Sequence, residues 1–268
     1  MEGNCALCQQ RKPLRKSHYL PAALYRLVKG LDGGGLAPIH VSRKSSVATS
    51  KEIWAYLLCS ECEQRFHKYG ENYVLKNCYR GPADFPLQTA LVQSGPPIVL
   101  PKARVYRTQN VSGIEIDKLV YFASSMFWRA SAHLWKDGEG VLDTPSLGPY
   151  EEDFRRYLLG LSAFPAAAVM LVNVSSRQKP LINMITPPHG CRVGQFHICR
   201  FNIPGITFHL YTGQRIPKEF YFDCTHHSTE QFVGFMDDDE LFVKPMLRLL
   251  TTSKPVGKLV HWSPPRRD

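Results

Sequence analysis

The chain has 268 residues, of which 44% are hydrophobic and 21% are charged, so it is long enough to bury a sizeable core. No apolar run approaches the roughly eighteen residues that span a bilayer, and the first residues lack the apolar region of a secretory signal. We therefore expect a cytoplasmic protein without a membrane partner, in which reducing conditions disfavour disulfides between the eight cysteines.

The formal net charge is +10, and it is unevenly distributed. Residues 1–80 carry thirteen Lys and Arg against six Asp and Glu. A basic N-terminal third indicates a polyanionic partner, most simply nucleic acid, although a solvated basic face that aids solubility is the alternative. Six of these residues lie close to a histidine, His18, or in the loop before the second cysteine pair: Arg11, Lys12, Arg15, Lys16, Arg43 and Lys44.

Two C-x2-C pairs, Cys5 with Cys8 and Cys59 with Cys62, stand out among the first 80 residues. Two residues between thiolates let a tight turn direct both sulfurs at one ion, and two such turns complete a tetrahedral shell. The pairs therefore predict a structural Zn²⁺ site, with iron as a weaker option. The alternatives are unrelated buried thiols, or a redox pair that lacks its usual strand–helix context.

Later segments divide the chain further. Residues 81–114 are rich in Pro, Gly and Gln and predict an extended connector. Apolar residues at three- and four-residue steps predict a helix from about residue 115, and Pro149 followed by acids predicts a second. Short β-branched and aromatic segments over 165–224 predict strands. We expect a helical and β-rich domain over 115–228 and a tail over 229–268.

The motifs SHYLPAALY (17–25) and LLCSECEQRFHKYGENYV (57–74), together with the cysteine pairs, resemble the HNH, or ββα-metal, endonucleases. Two later segments, 118–135 and 148–160, resemble the helical part of one bacterial branch of that family. The resemblance implies a zinc-braced ββα module, a histidine, His18, that activates water, and a helix that supplies a ligand to one catalytic cation. For some members it also implies a link to defence against phage.

Phosphodiester hydrolysis needs a base and a divalent cation with oxygen or nitrogen ligands. His18 fits the base, since an unperturbed histidine titrates near pH ~6.5; the alternative is a histidine packed on the zinc module. If residues 62–76 are helical, Glu63, His67 and Glu71 share one face and could hold Mg²⁺, Mn²⁺ or Zn²⁺. The alternative is an ordinary solvated face. His40 is a further candidate ligand.

We expect an α+β protein: a zinc-braced ββα-metal (HNH-like) module over residues 1–80, then a helical and β-rich C-terminal domain. The leading function is a metal-dependent endonuclease that cleaves DNA with little sequence preference, with His18 and Glu63 as catalytic residues. The C-terminal part would bind a protein partner or form a homodimer. The alternative is a catalytically inactive zinc-stabilised module that binds nucleic acid or protein. The serine before His18 and the lack of asparagine between residues 18 and 59 favour that alternative.

Overall fold

The computed structural model confirms a mixed α+β protein. It describes residues 1–31, 39–41, 45–48, 52–81, 83–100, 103–136, 140–175, 184–218, 225, 231–236, 251–257 and 260. The α-helices there are α1 (Ala22–Leu31), α2 (Ser60–Phe66), α3 (Asn72–Asn77), α4 (Pro86–Gln93), α5 (Ile116–Ser131) and α6 (Glu151–Leu159). Among these described helices, none is both long and apolar enough to cross a membrane.

The strands in the described ranges form three sheets, ordered β1-β2-β5, β6-β7-β12-β8-β11-β10-β9 and β13-β4-β3. Their bounds are β1 (Glu2–Asn4), β2 (Arg11–His18), β3 (Ile39–Val41), β4 (Ser45–Ala48), β5 (Trp54–Cys59), β6 (Ile98–Leu100), β7 (Ala103–Arg107), β8 (Ala168–Ser175), β9 (Thr186–Val193), β10 (Phe196–Ile203), β11 (Ile206–Gly213), β12 (Phe232–Met236) and β13 (Lys254–Val256).

The first sheet places both cysteine pairs at one end. Strand β2 pairs antiparallel with β5, and α2 begins at the residue after β5 ends. Between the pairs Leu14–Cys59 and Lys16–Tyr56 the register shifts by one residue, and the extra residue marks a β-bulge in β5. Behind the sheet, the buried hydroxyl of Ser17 accepts a hydrogen bond from the backbone N–H of Leu58 (3.0 Å). The residue that precedes His18 therefore has a structural role.

Helix α5 lies at the centre of the molecule. Nearly all of its residues are buried, because apolar side chains surround it on every side. Phe127 packs edge-to-face on Phe201 of β10 (ring centroids 5.0 Å apart), and Trp128 packs on Phe66 of α2 (6.1 Å). One cluster of buried side chains consequently includes both the N-terminal sheet and the seven-stranded sheet.

The helix after the second cysteine pair continues to Asn77, but its middle differs from the expected α-helix. Residues His67–Glu71 form a π-helical turn between α2 and α3. Gly70 lies in this turn and faces α5 so closely that a Cβ atom there would be 2.8 Å from Phe122 Cα. Glycine is therefore needed here for helix packing, although it has a low helix propensity.

The strands expected over 165–224 are confirmed where the structure describes them, in β8 to β11. Residues 81–114 differ from the expected connector, since they contain α4, β6 and β7. Pro86 begins α4 rather than breaking it, because proline suits the first helical turn. The expected tail supplies β12, which lies parallel to β8 and antiparallel to β7. The boundaries of the four expected segments remain a prediction.

We predict that Gly70→Ala lowers the free energy of unfolding by about 1–3 kcal/mol, because the new methyl group meets the backbone of α5. This cost exceeds the roughly 1 kcal/mol that alanine gains over glycine in helix propensity. Gln64→Ala, an exposed position on α2, is the control and should change stability by less than about 0.5 kcal/mol. Urea unfolding measures both; equal or greater stability of Gly70→Ala would contradict the close approach.

Candidate functional site

The four cysteines of the two pairs converge on one point. Cys5 and Cys8 lie in the turn between β1 and β2, Cys59 ends β5, and Cys62 lies in the first turn of α2. Their sulfur atoms all lie within 4.8 Å of one another, and Cys8 Sγ is 3.9 Å from Cys59 Sγ. A tetrahedral zinc with Zn–S bonds of about 2.3 Å places its sulfurs about 3.8 Å apart. The predicted cluster is confirmed, and its geometry suits a structural zinc ion.

Backbone hydrogen bonds hold the two cysteine turns together. The N–H of Cys59 donates to Cys5 Sγ (3.3 Å), and the N–H of Ala6 donates to the carbonyl of Leu57 (3.0 Å). Within the first turn, Gln9 adopts a left-handed conformation (φ 59°), and its N–H donates to the carbonyl of Cys5 (2.8 Å). The sulfurs are thus positioned by main-chain contacts between segments that are remote in sequence.

The electrostatics of the cluster favour a bound cation. A hydrogen bond from Cys62 lowers the pKa of the Cys5 thiol to about 4. The same contact, together with burial, raises the pKa of Cys62, since a second thiolate would lie beside the first. Burial also raises the pKa of Cys8. A divalent cation would relieve this repulsion and allow all four sulfurs to be ionised.

His18 ends β2 and carries a carboxylate partner that the sequence did not indicate. Its Nε2 lies 2.7 Å from Glu52 Oε2, and the two side chains are 27% and 32% exposed. When Nε2–H donates to this carboxylate, the neutral imidazole has its lone pair on Nδ1. The arrangement can therefore present an oriented proton acceptor near the surface.

Arg129 of α5 fixes the backbone at His18. Its side chain is 1% exposed, its Nη1 donates to the carbonyl of His18 (2.8 Å), and its Nη2 lies 3.1 Å from Glu71 Oε1. The guanidinium also stacks over Phe66 at 5.1 Å. Glu71, a predicted cation ligand, thus neutralises a buried charge. No sequence motif indicates this role of Arg129.

The other predicted cation ligands do not form a second cluster. Glu63 is half-buried on α2, and its Oε1 is buried without a hydrogen-bond partner among the described residues. His67 is exposed at the start of the π-helical turn. Within the described part of the chain, the four cysteines are the only group of three or more ligand side chains close enough to share an ion. A site for catalytic Mg²⁺ or Mn²⁺ remains a prediction.

The basic residues of β2 lie beside two exposed aromatic rings. Arg11, Arg15 and Lys16 are exposed, whereas Lys12 is half-buried and pairs with Glu61 at 2.6 Å. Trp54 and Tyr56 of β5 are 43% and 39% exposed, with ring centroids 5.6 Å apart. By contrast, the aromatic side chains of α5 pack in the core. Two predicted nucleic-acid-binding residues, Arg43 and Lys44, lie outside the described residues, and of the further candidate ligand His40 only the backbone is described.

Comparison of the chain with protein-family models, curated proteins and solved structures finds no match. The resemblance to HNH endonucleases therefore remains a prediction from motifs. What the chain does must be inferred from its own residues: four converging sulfurs, an imidazole paired with a carboxylate, and a basic strand beside exposed aromatic rings.

We predict that the purified chain carries one zinc ion. The Cys62→Ser variant should lose this ion, and its free energy of unfolding should fall by at least about 3 kcal/mol. Acidification should also release zinc, because protons compete for the sulfurs. Elemental analysis and thermal unfolding measure these effects. Cys78→Ser, at a buried thiol outside the cluster, is the control and should retain zinc. Retention of zinc in Cys62→Ser would contradict the assignment.

We also predict that Glu71→Gln lowers stability by about 3 kcal/mol, because it leaves the buried Arg129 guanidinium without a carboxylate. The double variant Glu71→Gln with Arg129→Met should recover part of this loss, since it removes the unpaired charge. The control is Glu152→Gln, which breaks an ion pair at the surface and should cost less than about 1 kcal/mol. Equal losses for Glu71→Gln and Glu152→Gln in denaturant unfolding would refute this role.

Proposed function

We propose that this protein is a zinc-stabilised nuclease that hydrolyses DNA phosphodiesters, with His18 as the general base. The observation that carries the proposal is the hydrogen bond between His18 Nε2 and Glu52 on a partly exposed strand end. Orientation of one ring nitrogen by a carboxylate leaves the other to accept a proton from water. A histidine that only packed on the zinc module would need neither this exposure nor this partner.

The surroundings of His18 support a phosphodiester as the substrate. Arg15 and Lys16 precede it on the same strand and are exposed. Cationic side chains neutralise and position the phosphates of a nucleic acid without reading its sequence, so little sequence preference is expected. The order of β2, β5 and α2 around the cysteine cluster also supports the ββα module that the motifs predicted.

A divalent cation, Mg²⁺ or Mn²⁺, belongs to this proposal. When bound, such an ion stabilises negative charge that develops on the phosphate and the leaving oxygen. Glu63 is the residue best suited to hold it, because its Oε1 has no hydrogen-bond partner among the described residues. Glu71 is less suited, since Arg129 already engages its carboxylate.

The second candidate is a catalytically inactive zinc module that binds nucleic acid or a partner protein. Two observations favour it. Glu71 pairs with Arg129 instead of remaining available to a cation. In addition, the cysteines form the sole cluster of three or more candidate metal ligands in the described ranges. An assay that separates binding from cleavage therefore decides between the candidates.

We predict that the protein nicks supercoiled plasmid DNA in Mg²⁺ or Mn²⁺ and that His18→Ala reduces the rate by about 100-fold or more, through loss of the general base. Glu52→Gln should reduce it less, because an amide can still accept a hydrogen bond from Nε2. His197→Ala, on β10 of the seven-stranded sheet, is the control and should nick DNA at the unchanged rate.

Zinc content and thermal unfolding of each variant show that the fold is intact. Unchanged nicking in His18→Ala would remove His18 from the mechanism. Binding of DNA without cleavage in either cation would identify the inactive module as the correct candidate.

A further inference from the structure

The exposed side of the β2–β5 pair displays two aromatic side chains, Trp54 and Tyr56, that the proposed hydrolysis does not use. Lys16 lies opposite Tyr56 in the register, and His18 lies opposite Trp54. Residues directly opposite each other in an antiparallel pair share a face, so these four side chains lie on one side of the sheet. The intervening Ser17 is fully buried on the other side. We call Lys16, Trp54 and Tyr56 the stacking face.

The aromatic rings of this face are exposed, whereas most rings among the described residues are buried. Trp54 and Tyr56 are 43% and 39% exposed, whereas Trp128 and Trp135 are each 1% exposed. The two exposed rings meet edge-to-face, at an interplanar angle of 84°. Lys16 Nζ lies 4.3 Å from the centre of the Trp54 ring, so a positive charge is held against an aromatic surface.

Charge identifies the kind of partner that this face suits. The face carries one lysine, Lys16, and the exposed Arg11 and Arg15 alternate with it along the same strand and add positive charge to the strand as a whole. A polyanion complements this strand, whereas an apolar peptide would leave its cations without partners. Aromatic rings interleaved with cations are typical of surfaces that bind single-stranded nucleic acid, where bases stack on rings and phosphates contact cations.

We propose that the stacking face binds single-stranded DNA, with unpaired bases stacked on Trp54 and Tyr56 and a phosphate beside Lys16. This inference rests on the proposed function only because it places the bound DNA single strand next to His18, the proposed general base. A duplex is a poor partner for the rings, because its bases are already stacked and turn only their edges outward. The substrate class is therefore unpaired DNA, such as single strands, gaps or displaced strands.

The same face explains how a DNA single strand would reach His18, the proposed general base. In the register, Trp54 is directly opposite His18. A nucleotide stacked on Trp54 thus places its own backbone near the imidazole. Stacking accepts any base, since every base has a π-face, and this agrees with the expected lack of sequence preference.

The test measures binding of the full-length, zinc-loaded protein to a fluorescein-labelled 12-nucleotide single strand and to its duplex, without added divalent cation. His18→Ala is the background, so that the strand is not cleaved. We expect the single strand to bind at least about tenfold more tightly than the duplex. Trp54→Ala should weaken single-strand binding by about tenfold, and Trp54→Phe should restore most of it, because the phenyl ring still stacks.

Two further variants complete the design. Lys16→Ala should weaken binding and reduce the slope of log affinity against log salt by about 1, as for one lost phosphate contact. Val99→Ala removes a 76% exposed apolar side chain from β6 and should change nothing. Zinc content and thermal unfolding verify that each variant is folded.

The outcomes separate this inference from the proposed function. Equal binding of duplex and single strand, or unchanged binding in Trp54→Ala, overturns the stacking face even when the wild-type protein nicks plasmid. Binding that depends on Trp54 without cleavage in Mg²⁺ or Mn²⁺ supports the face and overturns the nuclease. Failure to bind either form of DNA overturns both.

Discussion

The convergence of four sulfurs is the constraint on which the N-terminal structure depends. It joins the turn before β2 to the junction of β5 and α2, so that segments about fifty residues apart in the chain become neighbours. The first sheet has only three strands: β1 is three residues long, and a bulge interrupts the pairing of β2 with β5. Such a sheet has little core of its own. Metal binding energy can stabilise such a module where apolar burial is insufficient.

A buried cation provides the second link, between this module and the rest of the protein. Arg129 reaches from α5 to the carbonyl of His18 and to the carboxylate of Glu71. A guanidinium so deep in the protein is costly unless each contact is in place, which makes the position of α5 relative to β2 specific as well as stable. The close approach at Gly70 adds a steric requirement to the same helix pair. The site at His18 therefore depends on residues more than a hundred positions away.

Features of the fold and of the candidate site could be predicted from the sequence where they depend on short-range patterns, and could not where they depend on contacts between distant residues. The cysteine pairs and the three- and four-residue spacing of apolar residues in α5 are short-range patterns, and both the cluster and the helix were confirmed. The partners of His18 and Glu71 were not predictable, because Glu52 and Arg129 carry no motif and meet them only through the fold. The prediction of an extended connector over residues 81–114 differs from the structure for a related reason. Strand β7 is formed through its pairing with β12, which lies more than a hundred residues later in the chain. The exposure of Trp54 and Tyr56 could not be predicted either, because the pairing of β2 with β5 determines on which side of the sheet these rings lie.

These constraints also explain how an exposed basic strand is tolerated. Four cations occur within the eight residues of β2, and their mutual repulsion opposes a rigid strand. Lys12 is offset by Glu61 and Lys16 by the ring of Trp54, while no ion pair joins Arg11 or Arg15 to another described residue. The sulfur cluster at one end of the strand and Arg129 at the other hold its backbone in spite of this repulsion. Arg11, Arg15 and the partly exposed rings of Trp54 and Tyr56 can then remain available for a ligand, because the strand's position does not depend on them.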